Sequence, residues 1–142
     1  MQEMNATKLA VELLEQGKTM EDVMQICQMP SLGKYLFEFI CKAGWSVEAT
    51  AEFADMNKTS LYRILNGETR KPQRNVLLRL ARVLRMNVDE TQQLLKCGDN
   101  ATLSGSRPRD IVIMGGIVND MDLYDLDKSL TDCGLLGLLT KG

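Results

Sequence analysis

The sequence predicts an all-α protein folded as a small helical bundle. Leu, Met and Ala supply most of the apolar residues while aromatics make up only 5%, a balance that favours helices over strands. One helix-start phrase recurs four times: a capping residue, an apolar residue, acids, then apolar positions three and six or seven further on. Ahead of each phrase lies another apolar segment, so the chain reads as a series of short helical hairpins.

The first phrase, "TMEDVMQIC" from Thr19, follows the apolar segment Leu9 to Leu14. "SVEATAEFA" from Ser46 follows Leu32 to Cys41, "NVDETQQLL" from Asn87 follows Val76 to Leu84, and "DLYDLDKSL" from Asp122 follows Ile111 to Val118. The leading Thr, Ser, Asn or Asp can accept from orphan first-turn amides, and Asp22, Glu48, Glu90 and Asp125 complement the positive end of the helix dipole. The starts lie 27, 41 and 35 residues apart, too uneven for a solenoid of fixed period. "IVIMGGIV" could be a hairpin about Gly-Gly, but arms of about four residues are marginal. A helix is favoured, at about 1 kcal/mol for each glycine, and the glycines would permit a close helix crossing. "DNATLSGSRP", residues 99–108, is rich in turn formers and reads as a linker of moderate flexibility.

One element breaks the hairpin scheme. "NKTSLYRILNGETRKPQ" inserts an extra helix, Lys58 to Asn66, with Asn57 as its N-cap and Gly67 where a left-handed residue would end it. Pro72 blocks continuation, so the next helix starts near Arg74 or Asn75. On a helical wheel Leu61, Ile64 and Leu65 form one apolar stripe, Thr59, Arg63 and Asn66 lie opposite, and Lys58, Ser60 and Tyr62 flank the exposed side. Arg suits guanine, Asn suits adenine, and Thr offers a hydroxyl or a methyl, so this palette fits base edges in a major groove.

The net charge of −2 conceals a clustered distribution. Residues 58–85 carry eight cations against Glu68, a local +7, between flanks of −5 and −4. A basic segment between acidic flanks can hold an anionic partner even when the net charge is negative. With 142 residues, 44% of them apolar and 25% charged, the chain suits one domain with a small appendage. Cys27, Cys41, Cys97 and Cys133 are widely spaced and there is no histidine, which argues against a zinc site and for small, reduced core thiols. Met1 to Ala10 is too polar for a signal peptide and Ile111 to Val118 too short for a membrane span. A cytoplasmic location, with no membrane or metal partner, is the expectation. No P-loop, G-x-S-x-G or EF-hand spacing is present, so an enzyme is not expected and no cofactor is implied.

Val47 to Ala54 forms one helix, and about three residues separate it from the helix capped by Asn57. Two helices joined so tightly cross steeply, the helix-turn-helix arrangement. Through "SLGKYLFEFICKAG", "SVEATAEFADMNKTSLYRILNGETRKPQ" and "VLLRLARVLRMNVDETQQLL" the sequence resembles the lambda-repressor-like (XRE/Cro-type) helix-turn-helix DNA-binding family. Ala51, Met56 in the turn, Asn57 as cap, Leu61 and Ile64–Leu65 in the core, and Asn66-Gly67 at the close all fit the family pattern. Asp55 departs from it, standing where the family often has glycine, although Asp tolerates a left-handed backbone better than most residues.

The resemblance implies a five-helix domain over 31–98 within the bundle, with an N-terminal helical extension (1–30), a linker (99–108) and a C-terminal helical segment (109–142). It implies a sequence-specific transcription regulator of a prokaryote or phage that binds double-stranded DNA as a homodimer. Lys58, Thr59, Tyr62 and Arg63 would face the major groove with Asn66 at its edge, while Ser46, Thr69, Arg70, Lys71 and Arg74 would meet phosphates. Arg79, Arg82 and Arg85 are spaced as one outer helix face, for which solvation is the simpler account. Leu135, Leu136, Leu138 and Leu139 would either pair two copies or pack on their own domain. The competing expectation is a helical protein-interaction module, antitoxin-like or adaptor, in which the acidic flanks and apolar tail supply docking surface.

Overall fold

The computed structural model describes residues 6–28 and 31–139, and among these every regular element is a helix. The apolar segments and capped phrases become α1 (Ala6–Glu15), α2 (Met20–Gln28), α3 (Ser31–Ala43), α4 (Val47–Phe53), α6 (Arg74–Val83), α7 (Val88–Cys97), α8 (Pro108–Val118) and α9 (Leu123–Asp132), with the extra helix as α5 (Lys58–Leu65). The caps fall where the sequence puts them. Asp22 N donates to Thr19 Oγ1 at 3.1 Å, Ala49 N to Ser46 Oγ at 3.0 Å, Thr59 N to Asn57 Oδ1 at 2.7 Å and Asp125 N to Asp122 Oδ1 at 2.8 Å. Asn87 and Glu90 complete a reciprocal capping box.

One apolar core runs from Leu32 to Leu138. Leu36 and Ile40 of α3, Leu61 of α5, Leu77 and Leu80 of α6, Leu94 and Leu95 of α7, Ile113 of α8, and Leu126 and Leu130 of α9 are fully buried in it. α5 packs on both α3 and α4, and α6 touches α4, α7 and α9. The closest approach is at Gly33, where a Cβ would run into the backbone carbonyl of Leu65. Only glycine lets α3 lie that near α5. The pair α1 and α2 packs together as a hairpin, and Val23, buried in α2, stands outside the main core.

"IVIMGGIV" is helical, within α8. Gly116 makes the close crossing, facing Leu126 of α9, whereas a Cβ on Gly115 would meet nothing. The connection between α7 and α8 packs on the domain, and Pro108, placed at the end of the expected linker, is the first residue of α8. Leu103 is buried, its N and O pair with the Gln92 side chain at 2.7 and 2.9 Å, and Asn100 Nδ2 donates to Pro72 O at 2.8 Å. The apolar tail packs on its own domain: Leu138 is fully buried and Leu139 N donates to Asp127 Oδ1 at 2.9 Å, leaving Leu136 exposed. Residues 140–142 and the Cys27 side chain lie outside what is described. The expectation of core thiols fails at Cys41 and Cys133, which are exposed, because both sit on outward positions beside the apolar stripe.

Candidate nucleic-acid interface

Ser46 opens α4 with an extended backbone, its Oγ accepting from Ala49 while Thr50 Oγ1 donates back to Ser46 O at 2.9 Å. The helix stops when Asp55 turns left-handed at φ 55°, and Met56 N donates to Ala51 O at 3.0 Å. Asn57 then caps α5. Three residues, Ala54, Asp55 and Met56, thus make the turn, and the Asp reaches the backbone conformation that glycine supplies more cheaply.

α5 buries Leu61, Ile64 and Leu65. Lys58, Thr59, Ser60, Tyr62, Arg63 and Asn66 are exposed together on the opposite side. Two carboxylates that sequence reasoning did not place on this face are there. Tyr62 Oη donates to Glu48, lying 3.0 and 3.1 Å from its two oxygens, and this hydrogen bond is the main reason the phenol sits above its ordinary pKa. Glu68 accepts from Asn66 Nδ2 at 3.2 Å and pairs with Arg63 Nε at 3.7 Å, while its own amide donates to Asn66 Oδ1 at 3.0 Å. Of the two, only Glu68 left a local signal, an acid two residues beyond an Asn that closes a helix.

After Gly67 (φ 88°) the chain reverses, held by Thr69 N donating to Arg63 O at 3.0 Å. Thr69 is half-buried; Arg70 and Lys71 are exposed, with no ion pair among the described residues. Thr69 and Arg70 border a cleft of about 390 Å³ that Leu32, Ile64 and Cys97 also line.

Arg74 does not join them. Its Nη1 and Nη2 each donate to one oxygen of Asp110 at 3.0 Å, Nε donates to Ala101 O at 2.9 Å, and Nη2 also reaches Thr102 O at 3.1 Å. With four of its five N–H donors used, the guanidinium faces the C-terminal segment. Burial would raise the Asp110 pKa, but the Arg74 hydrogen bond, the Ser104 amide and the charges of Arg74 and Arg107 outweigh it and hold the carboxyl below its ordinary value.

The solvation expected for Arg79 and Arg82 is likewise corrected. Arg79 Nε donates to Ala54 O at 2.9 Å and Nη1 to Leu138 O at 2.8 Å. Arg82 is only 4% exposed and Nη2 donates to Asp120 at 3.0 Å; Arg85, which is exposed, reaches the same Asp120 oxygen at 2.6 Å. The physical reason is that α6 is covered on a third side by α9, so what looks like an outer face on a wheel is an internal seam. Of the eight cations, Lys58, Arg70 and Lys71 carry no ion pair among the described residues, and Arg63 and Arg85 are exposed within theirs.

Residues 32–94 match the family model of a helix-turn-helix domain. That span begins in α3, ends in α7 and contains the α4–turn–α5 unit, so this part of the chain is a helix-turn-helix domain, a module of DNA-binding regulators. The match is consistent with the lambda-repressor-like resemblance. No curated protein and no solved structure matches the chain. Among the described residues no helix is long and apolar enough to cross a membrane, and no group of three or more His, Cys, Asp or Glu could hold a metal ion.

Proposed function

We propose that the protein is a non-enzymatic, sequence-specific transcription regulator of the cytoplasm that inserts α5 into the major groove of duplex DNA. The observation that carries this is the exposed Lys58, Thr59, Tyr62 and Arg63 on a helix whose opposite face is locked into the core behind a three-residue turn. Such a helix presents donors and acceptors on a rigid support, which base-edge recognition needs. Asn66 lies at the edge of this face. Ser46, Thr69, Arg70 and Lys71 would meet the flanking phosphates; Arg74, committed to Asp110, drops out of that set. A homodimer would place two such helices on paired half-sites. The competing interaction module loses one support, since the apolar tail is packed against its own domain.

Selecting bound sites from random duplexes, followed by a salt titration, tests this. Arg70 and Lys71 on two protomers amount to about four phosphate contacts, so log Kd should change with log salt with a slope of about 3 to 4. Absence of any enriched site together with no binding at low salt would sink the proposal and favour a protein partner.

A further inference from the structure

Glu68 sits at the centre of a small polar cluster at the end of α5. One oxygen accepts from Asn66 Nδ2 at 3.2 Å, the other faces Arg63 Nε at 3.7 Å, and the Glu68 amide donates to Asn66 Oδ1 at 3.0 Å. The Arg63 and Glu68 side chains are 59% and 64% exposed, so they lie at the surface that would meet DNA. The backbone beneath is fixed by Gly67 in the left-handed region and by the hydrogen bond from Thr69 to Arg63.

From this geometry we infer that Glu68 is a specificity-determining positioning residue that sets Arg63 to read guanine. The inference rests on α5 being the major-groove reader. A guanidinium whose Nε faces a carboxylate points its two Nη groups away from it as a parallel pair of donors. Neither Nη makes a hydrogen bond among the described residues. Guanine alone offers two adjacent major-groove acceptors, O6 and N7; adenine pairs its N7 with an N6 donor, which would meet the second Nη donor to donor. Asn66, with Oδ1 and Nδ2 both used on Glu68, acts in the turn and is withdrawn from adenine reading. Glu68 has a second effect of opposite sign. Its charge opposes nearby phosphates on any DNA, so it lowers sequence-independent binding while sharpening base choice.

The full chain tests this with Glu68→Gln, which keeps the size and an acceptor but removes the charge. Site selection with the wild type gives the cognate duplex, and Arg63→Ala identifies the base pair it reads as the one whose preference it abolishes. Affinities are then measured for the four duplexes differing at that pair and for random DNA, with circular dichroism confirming the fold. Guanine should be preferred there by the wild type. Glu68→Gln should reduce that preference about threefold to tenfold, part of the discrimination a bidentate contact supplies, and should tighten random DNA. A purely structural fault would weaken all duplexes alike, as Lys71→Ala should, and leave the ratio standing. An unchanged ratio in Glu68→Gln, or a wild-type preference for another base, overturns the inference. If Arg63→Ala alters preference at no position, α5 as reader fails, and the role of Glu68 falls with it.

Discussion

Arg63, Lys71 and Arg74 are three cations within twelve positions, and the structure gives them different surroundings. Arg63→Ala should weaken a cognate duplex by about 1–3 kcal/mol more than random DNA, whereas Lys71→Ala should weaken both by similar amounts; equal losses for Arg63→Ala would remove it as a base reader. Arg74→Ala should act on stability instead. It leaves the Asp110 carboxylate, whose side chain is 2% exposed, with only the Ser104 amide and the more distant Arg107, a loss of up to about 3–5 kcal/mol in urea unfolding. The linked pH effect has a fixed sign. Because the folded-state pKa of Asp110 is depressed, its contribution is present above the ordinary carboxylate value of 3.8 and is lost as pH falls through the folded value. Stability should therefore drop in acid, and Asp110→Asn should flatten that part of the curve. Nothing near Arg74 in the chain announces Asp110, 36 residues away, so a cation after "TRK" reads locally as a phosphate grip. Asp55 was legible for the opposite reason: its demand is set by its own backbone.

At the scale of elements, the helix starts and the extra helix were readable because caps, acids and apolar spacing are local instructions. Which neighbour covers which face is not local. α6 shows the consequence, since Arg79 and Arg82 sit beside Leu78 and Ala81 at spacings that mark an outer face until α9 is laid against them. Glycine has two distinct uses in the helices. A Cβ on Gly33 would strike the Leu65 carbonyl, a backbone atom that can move only with α5; one on Gly116 would strike the Leu126 side chain, its methyls 2.5 and 3.1 Å away, which gives more readily than backbone. Gly33→Ala should accordingly destabilise by about 1–3 kcal/mol and reduce the ratio of cognate to random DNA affinity by displacing the reader. Gly116→Ala should lose less stability and keep that ratio. Thermal unfolding and paired binding isotherms on both variants measure the contrast, and a larger binding defect in Gly116→Ala would contradict it.

For the whole molecule, the C-terminal helices are a wall of the helix-turn-helix domain, with Leu103, Ile113, Leu126, Leu130 and Leu138 in the same core as Leu36 and Leu61. The sequence showed these residues as helical but could not show their destination, because no amphipathic pattern names its partner. Arg79 joins the two regions most directly, bonding the Ala54 carbonyl in the helix-turn-helix turn and the Leu138 carbonyl in the tail. Arg109 adds bonds to Leu136 O at 2.9 Å and Gly137 O at 3.2 Å. Removing residues 135–142 should strip these acceptors from half-buried guanidiniums and open the site of Leu138. Filling such a site is worth about 2–5 kcal/mol for a leucine, and each unsatisfied donor adds about 1–3 kcal/mol, a large share of the stability of a domain this size. Leu138→Ala, which keeps the carbonyls, isolates the cavity contribution if the truncated chain does not fold. Since the tail faces its own domain, Leu138→Ala should leave the mass in solution equal to that of the full chain, measured by sedimentation. A change in mass at unchanged helicity would instead assign the tail to contacts between copies.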